Sequence, residues 1–306
     1  MAKILPTAYF RDGFVPFKDA NVSIASSPVL YGLGIYTVFG VFKDSANKLN
    51  IFRLQDHYNR LIKSAKIVDF NTFAKEWPYE KFQKTMLELI KHNKVAEDCL
   101  VRVFVYIDEI LAGTKMHGLK TNLAAFIYPL TELLPKTGCH LMISSWQRTP
   151  DKAIPPRAKI TGNYVNSSLI KNEAIVNGYD DGIALDGMGK VTESSVANIF
   201  LIKDKQLITP NAEADILDGI TCESLMTIAG DQGLAVSRRP IKKPELFEAD
   251  EAFLCGSSAL VTPVASIDKK PIGNGQPGSI TKQLMETYDA VIHGATDNYA
   301  SWLVAV

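Results

Sequence analysis

Lys159 lies between the turn residues Pro155-Pro156 and a helical pattern that begins near Asn163, with Tyr164 five positions further on. Most lysines are solvated cations. A reactive one must be neutral part of the time, which requires partial burial and a neighbouring cation or cofactor. The segment "KITGNYVNSSLI" is poor in charges and meets that need. Glu193, in "GKVTESSVANIF", ends an apolar run beside Ser194, Ser195 and Asn198. It is either a hairpin-end carboxylate in water or a buried anion able to pair with a heterocyclic cation. In "DGIT", Asp218 to Thr221, Gly and Thr at a helix start free backbone N–H groups and add a hydroxyl. That is an ordinary cap or a phosphate site. "CGSSA", Cys255 to Ala259, follows a strand with small residues. It is a plain tight turn or a loop that lets backbone approach an anion closely. Arg60 sits on a helical pattern, either solvated or turned inward as a fork for phosphate oxygens.

A lysine, an anion for a ring nitrogen and three phosphate contacts form one constellation, and it suits pyridoxal 5′-phosphate. The lysine would condense with the aldehyde, and the carboxylate would keep the pyridine nitrogen protonated. Tyr164 would hydrogen-bond the phenolic oxygen.

The elements that must position these groups read as α+β. Alternating apolar residues around Asp12-Gly13 predict a hairpin, and "YGLGIYTVFGVF" reads as a strand. From Leu54 the period changes: Leu54, Tyr58, Leu61, Ile62 and Ala65 share a helix face, and a second helix is expected over Tyr79–His92. "CLVRVFVYI" and "NLAAFIYPL" read as buried strands. Beyond "TELLPKTG" come a strand, "CHLMISSW", and a helix from about Asn163 stopped by Gly178. The runs "GIALD", "KVTES", "ANIFLIK" and "QLITP" follow as strands, then a Gly-led helix over "LDGITCESLMTIAGDQGL". "DEAFLCGSSALVTPVASI" closes the series as strand, loop, strand. The expected organisation is a small domain over 1–130, a linker over 131–138 and a larger domain over 139–306.

The chain has 306 residues, 46% hydrophobic and 22% charged, with 33 basic and 33 acidic side chains. That balance argues against a nucleic-acid or membrane partner. The four cysteines show neither zinc spacing nor a disulfide framework, so no metal is expected and the thiols read as reduced, in a cytoplasmic protein. "MAKILPTAYFRDG" has no apolar core of signal-peptide length, and no apolar run is long enough to span a bilayer.

The chain resembles the class IV aminotransferases, of pyridoxal-phosphate fold type IV, and within them the branched-chain amino acid aminotransferases. The resemblance runs from about Tyr9 to Ile267. It rests on "YGLGIY", "FRLQDHYNRLIKSAKI", "SSWQRTPDKAIPPRAKITGNYVNSSLIKNEA", "GYDDGIALDGMGKVTESSVANIF", "LDGITCESL" and "ADEAFLCGSSALVTPV". It implies a two-domain fold, a homodimer or larger assembly, and amino acids and 2-oxo acids as small-molecule partners. Lys159 becomes the catalytic, cofactor-binding lysine. Tyr164 becomes the partner of the ring oxygen and Glu193 that of the ring nitrogen. Arg60, Ile220, Thr221 and Ser257 become phosphate ligands. Tyr31, Tyr36 and Tyr128 would line the substrate pocket, Arg102 would hold a substrate carboxylate, and the turn Gly256, Ser257, Ser258, Ala259 would help to bind the α-carboxylate.

Departures gather on the substrate side. Relatives read "FEG" and an arginine where this chain reads "YTVFG", Tyr36 to Gly40, and "EGxxEN" where it reads "ESSVAN". Ala197 therefore stands where a glutamate is usual, and Tyr128 where a tryptophan is common. The loop over 108–120, "DEILAGTKMHGLK", does not match. The reading is transamination of branched-chain L-amino acids with 2-oxoglutarate. Alternatives are a D-amino acid or (R)-amine transaminase, an aminodeoxychorismate lyase and a non-catalytic relative that binds the cofactor.

Overall fold

The computed structural model describes residues 3–306 except Ala112, which falls in the unmatched 108–120 loop. The backbone divides into two units of equal length. Met1–Thr131, Ala158–Gly162 and Ala290–Val306 form the first, and Glu132–Arg157 with Asn163–Asp289 form the second. The expected small and larger domains, with everything after 139 in one of them, are corrected accordingly. The expected linker is also part of the second unit, where Leu134 is buried in its core.

In the first unit, β1 (Thr7–Phe10) and β2 (Gly13–Pro16) form the hairpin around Asp12-Gly13. There follow α1 (Ser27–Tyr31), β3 (Gly34–Lys43), β4 (Leu49–Phe52), α2 (Leu54–Ile67), α3 (Phe73–Glu76), α4 (Tyr79–His92), β5 (Cys99–Ile107) and β6 (Thr121–Pro129). The C-terminal strand Leu303–Ala305 pairs antiparallel with β4, which is why the chain end belongs here. The seven-stranded sheet runs C-terminal strand, β4, β3, β5, β6, β1, β2.

Strand and helix periods meet in one core. Ile35, Phe39 and Val41 of β3, Val101, Val103 and Val105 of β5, and Leu123, Ala125 and Ile127 of β6 share the odd-numbered sheet face. They pack with Leu54, Leu61 and Ala65 of α2 and with Phe82, Met86 and Leu89 of α4. The even-numbered face carries Tyr36, Arg102 and Tyr128. One expectation is corrected here: "YGLGIYTVFGVF" is not a single strand. Pro28 in the first turn favours helix for the preceding segment, and Gly32, at φ 66°, ends α1 in the left-handed conformation before β3 starts.

The second unit holds β7 (Cys139–Gln147), α5 (Tyr164–Val176), β8 (Asp181–Leu185), β9 (Val191–Ser194), β10 (Asn198–Lys203), β11 (Gln206–Thr209) and α6 (Ile220–Asp231). It continues with β12 (Ala235–Arg238), α7 (Glu245–Glu248), β13 (Glu251–Gly256), β14 (Leu260–Ile267), β15 (Lys270–Pro271) and α8 (Ser279–Ile292). The sheet order is β12-β11-β10-β13-β14-β7-β8-β9, with β15 beside β14. The β11/β12, β14/β7 and β7/β8 pairs are parallel and the others antiparallel, giving the mixed α+β class expected. Gly178, at φ 80°, stands just past α5. Among the described residues, no helix is long and apolar enough to cross a membrane.

Gly32 also holds the Lys159 segment. Its carbonyl accepts hydrogen bonds from Gly162 N (3.0 Å) and Thr161 Oγ1 (2.7 Å). A Cβ there would lie 2.8 Å from Gly162 Cα, in addition to the positive φ. Gly32→Ala is expected to destabilise the protein by about 1–3 kcal/mol, read as a lower urea midpoint. An unchanged midpoint would mean that the segment is not held there.

Candidate active site

Lys159 is laid onto the first unit as a short extra rung beside the start of β3. Its carbonyl accepts from Tyr36 N (3.0 Å), its N–H donates to Ser64 Oγ (3.1 Å), and Ile160 bridges Ile35. Ala158 and Ile160 on either side are buried in the first core, so the backbone is fixed while the half-buried side chain departs from it. Lys159 Nζ lies 4.9 Å from the centre of the Tyr36 ring. Arg102 Cζ stands at the same 4.9 Å from that ring. Register explains the second contact: Tyr36 and Arg102 occupy the same face of adjacent strands, and Tyr128 lies further along that face on β6. Tyr31 ends α1 with 47% of its surface exposed.

Behind Lys159 a buried polar chain runs through α2. Thr37 Oγ1 lies 2.9 Å from His57 Nδ1, and Arg60 Nη2 donates to the same oxygen over a long 3.5 Å. A guanidinium can only donate, so the Thr37 hydroxyl oxygen accepts from Arg60 and links it to the His57 ring. Burial holds the His57 pKa well below its ordinary value, and the charges of Arg60, Lys159 and Arg53 push in the same direction. His57 is therefore a neutral prop among cations. Arg60 is half-buried on the same helix, with its carbonyl bound by Ser64 Oγ at 2.9 Å.

In the second unit Glu193 is 4% exposed, which removes the solvated reading. Its Oε1 is 2.7 Å from Arg148 Nη2, and both side chains are 5% exposed. Oε2 accepts from Asn198 Nδ2 (3.0 Å) and Leu217 N (3.3 Å). Asn198 also donates to Leu217 O (3.0 Å), tying Glu193 to the turn before α6. Gly219 is required there, since a Cβ would sit 2.0 Å from Asn198 Oδ1. Gly219, the N-cap residue of α6, brings no side chain to the helix start, where Ile220 and Thr221 are buried. The Thr221 hydroxyl lies 3.4 Å from Tyr288 Oη of α8. Gly256 to Ala259 form the turn between β13 and β14, and a Cβ at Gly256 would meet nothing closer than 3.7 Å. Tyr164 opens α5, half-buried. All four cysteines are free and buried, and no group of metal-ligating side chains occurs among the described residues.

The structure thus seats Lys159, Arg60, Tyr31, Tyr36, Arg102 and Tyr128 on the first unit. It seats Tyr164, Glu193, Ile220, Thr221 and the Gly256–Ala259 turn on the second. The donor set fits the needs of pyridoxal 5′-phosphate: a buried anion, a glycine-led helix start and an amine on an aromatic face. Sequence reasoning assigned no role to Arg148, His57 or Thr37. A buried carboxylate demands a cation, and that demand was the one signal pointing towards Arg148.

The profile of the family described as amino-transferase class IV matches residues 34–267. A protein of Synechocystis sp. described as a probable branched-chain-amino-acid aminotransferase is 35% identical, covering 100% of this chain and 99% of its own. The crystal structure of a branched-chain aminotransferase from Thermoproteus uzoniensis, with norvaline, superposes with a TM-score of 0.93 at 33% identity, covering 99% of each chain. The branched-chain amino acid aminotransferase from Thermobaculum terrenum, in its PLP form (holo form), gives 0.91 at 30% identity, covering 99% of this chain and 98% of that one.

The state of His57 can be measured. Below about pH 6.5 an unfolded histidine takes up a proton. Folded His57 resists doing so, so the unfolded state binds more protons and stability falls as pH drops through that range. His57→Gln keeps a hydrogen-bond partner for Thr37 but cannot titrate. Its pH slope should be shallower by up to about 1.4 kcal/mol per pH unit. Urea midpoints at neutral pH and about one unit below the ordinary histidine pKa test this. Parallel slopes in the two proteins would mean that His57 is charged in the fold.

Proposed function

The chain belongs to the class IV aminotransferases, and within that family we propose that it moves the amino group of branched-chain L-amino acids to 2-oxoglutarate. The products are branched 2-oxo acids and L-glutamate, and the cofactor is pyridoxal 5′-phosphate. The observation that carries this reading is the Tyr36 ring, which has the Lys159 amine and the Arg102 guanidinium each at 4.9 Å. A proton-moving base and a carboxylate-holding cation meet at one aromatic wall, as an α-amino acid requires. Tyr36, Tyr128 and Tyr31 add apolar ring faces suited to an aliphatic side chain.

Each remaining residue takes the role its chemistry allows. Arg60, the Ile220 and Thr221 amides, the Thr221 hydroxyl, Gly256 and Ser257 bind the phosphate through charge and oriented N–H groups. Glu193 would accept a hydrogen bond from the protonated ring nitrogen, and the Tyr164 hydroxyl would donate one to the ring oxygen. Ser258 and Ala259 complete the backbone contacts to the substrate carboxylate. When bound, pyridoxal phosphate supplies the aldehyde and the electron sink. Lys159 Nζ takes the proton from the donor's α-carbon, while Arg102 keeps the donor's carboxylate in place.

We also place the protein in the cytoplasm, as a homodimer or larger assembly. Exposed Ile24, Val29, Leu30, Tyr31, Ile110 and Leu111 support the assembly, since the segment leading into α1 and the loop after β5 meet through Leu111 N and Ala25 O (3.2 Å).

The test is a panel of amino donors with 2-oxoglutarate. L-leucine, L-isoleucine and L-valine should turn over fastest, and a faster D-alanine or (R)-1-phenylethylamine would overturn the substrate assignment. Lys159→Ala should fold and have no measurable turnover. Near-normal turnover would point to another lysine. Arg60→Ala should raise the cofactor dissociation constant about tenfold or more. Retention of cofactor through dialysis equal to that of wild type would remove Arg60 from the phosphate site.

A further inference from the structure

Arg148 has a position that the roles above do not use. It follows β7, and its N–H is held by Leu185 O of β8 at 2.9 Å. From there Nη2 reaches Glu193 Oε1 at 2.7 Å. Nη1 donates to Ser167 Oγ (3.1 Å) and to Asn166 Oδ1 (3.4 Å) of α5. Nε is buried and has no hydrogen-bond partner among the described residues. Two elements, β9 and α5, therefore converge on one buried guanidinium, and its contacts on α5 are neutral. The anion it meets is Glu193.

We propose that Arg148 is the positioning residue that keeps Glu193 an oriented anion, and through it decides where the proton shared with the cofactor's ring nitrogen resides. This rests on the ring-nitrogen role proposed for Glu193. A carboxylate with 5% of its side chain exposed is costly to bury as a charge unless paired. With Arg148 beside it, the charge is matched, and the shared proton stays on the ring nitrogen. Without Arg148, the cheaper arrangement is neutral: the proton leaves the ring nitrogen for a Glu193 oxygen, and the ring loses its positive charge. Asn198 Nδ2 and Leu217 N are neutral donors that aim Oε2 without compensating its charge.

The test reconstitutes each variant with pyridoxal 5′-phosphate labelled with nitrogen-15 in the ring, and reads protonation of that nitrogen from its chemical shift near neutral pH. Wild type should show the protonated signal. In Arg148→Met, and in Arg148→Gln, which keeps a donor for Glu193 but no charge, that signal should fall about tenfold or more. Arg148→Lys, which keeps the charge, should retain it. Glu193→Gln serves as the reference and should lose the signal. If Glu193→Gln loses it while Arg148→Met and Arg148→Gln keep it, Arg148 has no such role and the reading of Glu193 stands. If Glu193→Gln keeps it, that reading fails as well. Loss of the signal in Arg148→Lys as complete as in Arg148→Gln would show that contact geometry and not charge is decisive, and would overturn the proposal. Failure of both neutral variants to fold or hold cofactor while Arg148→Lys binds with an unprotonated nitrogen would overturn it equally.

Discussion

Five residues, Ala158–Gly162, leave the second unit's sequence to be built into the first, and the chain returns at Asn163. Everything proposed for Lys159 depends on how this excursion is pinned. Its backbone is held at Tyr36 N, Ser64 Oγ and Gly32 O, and its apolar residues Ala158 and Ile160 are sunk in the first core. A lysine in a free loop would spend most of its time solvated. One whose neighbours on both sides are buried has a fixed point of departure, so only its own rotamers remain to be ordered. The glycine pair Gly32 and Gly162 permits the close backbone approach that pins the far end of the segment.

The two units solve opposite electrostatic problems. The first gathers cations, Arg60, Lys159 and Arg53, around His57, and admits the imidazole only in its neutral form. Arg53 is matched locally by Asp56 at 2.6 Å. The second unit buries an anion and supplies its counter-charge from β7's end, with amide donors filling the remaining acceptor positions. Removing one member of such a pair is far more damaging than never having had it, because the survivor is left desolvated.

Local periodicity made much of this legible. The α2 and α4 faces, the alternating β3, β5 and β6 strands and the Gly-led α6 follow from spacing alone, because burial on one side is enough to specify them. Lys159, Glu193 and Thr221 were visible because each residue type sits where its bland role is unusual. What could not be read was long-range. Arg148 and Glu193 are 45 positions apart in sequence, and only the β7/β8/β9 register brings them together. Thr37 and His57 meet across a strand and a helix. The C-terminal strand is too short for any pattern and exists because β4 offers it an edge. Equal units, against an expected small and large one, follow from those same excursions.

The substrate-side departures are also coherent in physical terms. At Gly40 a Cβ would lie 2.2 Å from the Phe42 ring, which is buried. The strand therefore cannot carry an arginine there without displacing that ring. Ala197 is 3% exposed, with its N–H held by Ser194 Oγ at 3.2 Å, and its Cβ stands 3.9 Å from where a Gly256 Cβ would be. A glutamate at 197 would bring an anion beside the Gly256 turn, whose backbone approach suits an anion itself. Arg102 stands alone as the arginine on the even-numbered face of β3, β5 and β6 among the described residues, beside the Tyr36 ring. Its guanidinium is exposed rather than locked in a buried pair. A cation on an aromatic face can turn between the α-carboxylate of an aliphatic amino acid and the distal one of 2-oxoglutarate, as one site serving both must.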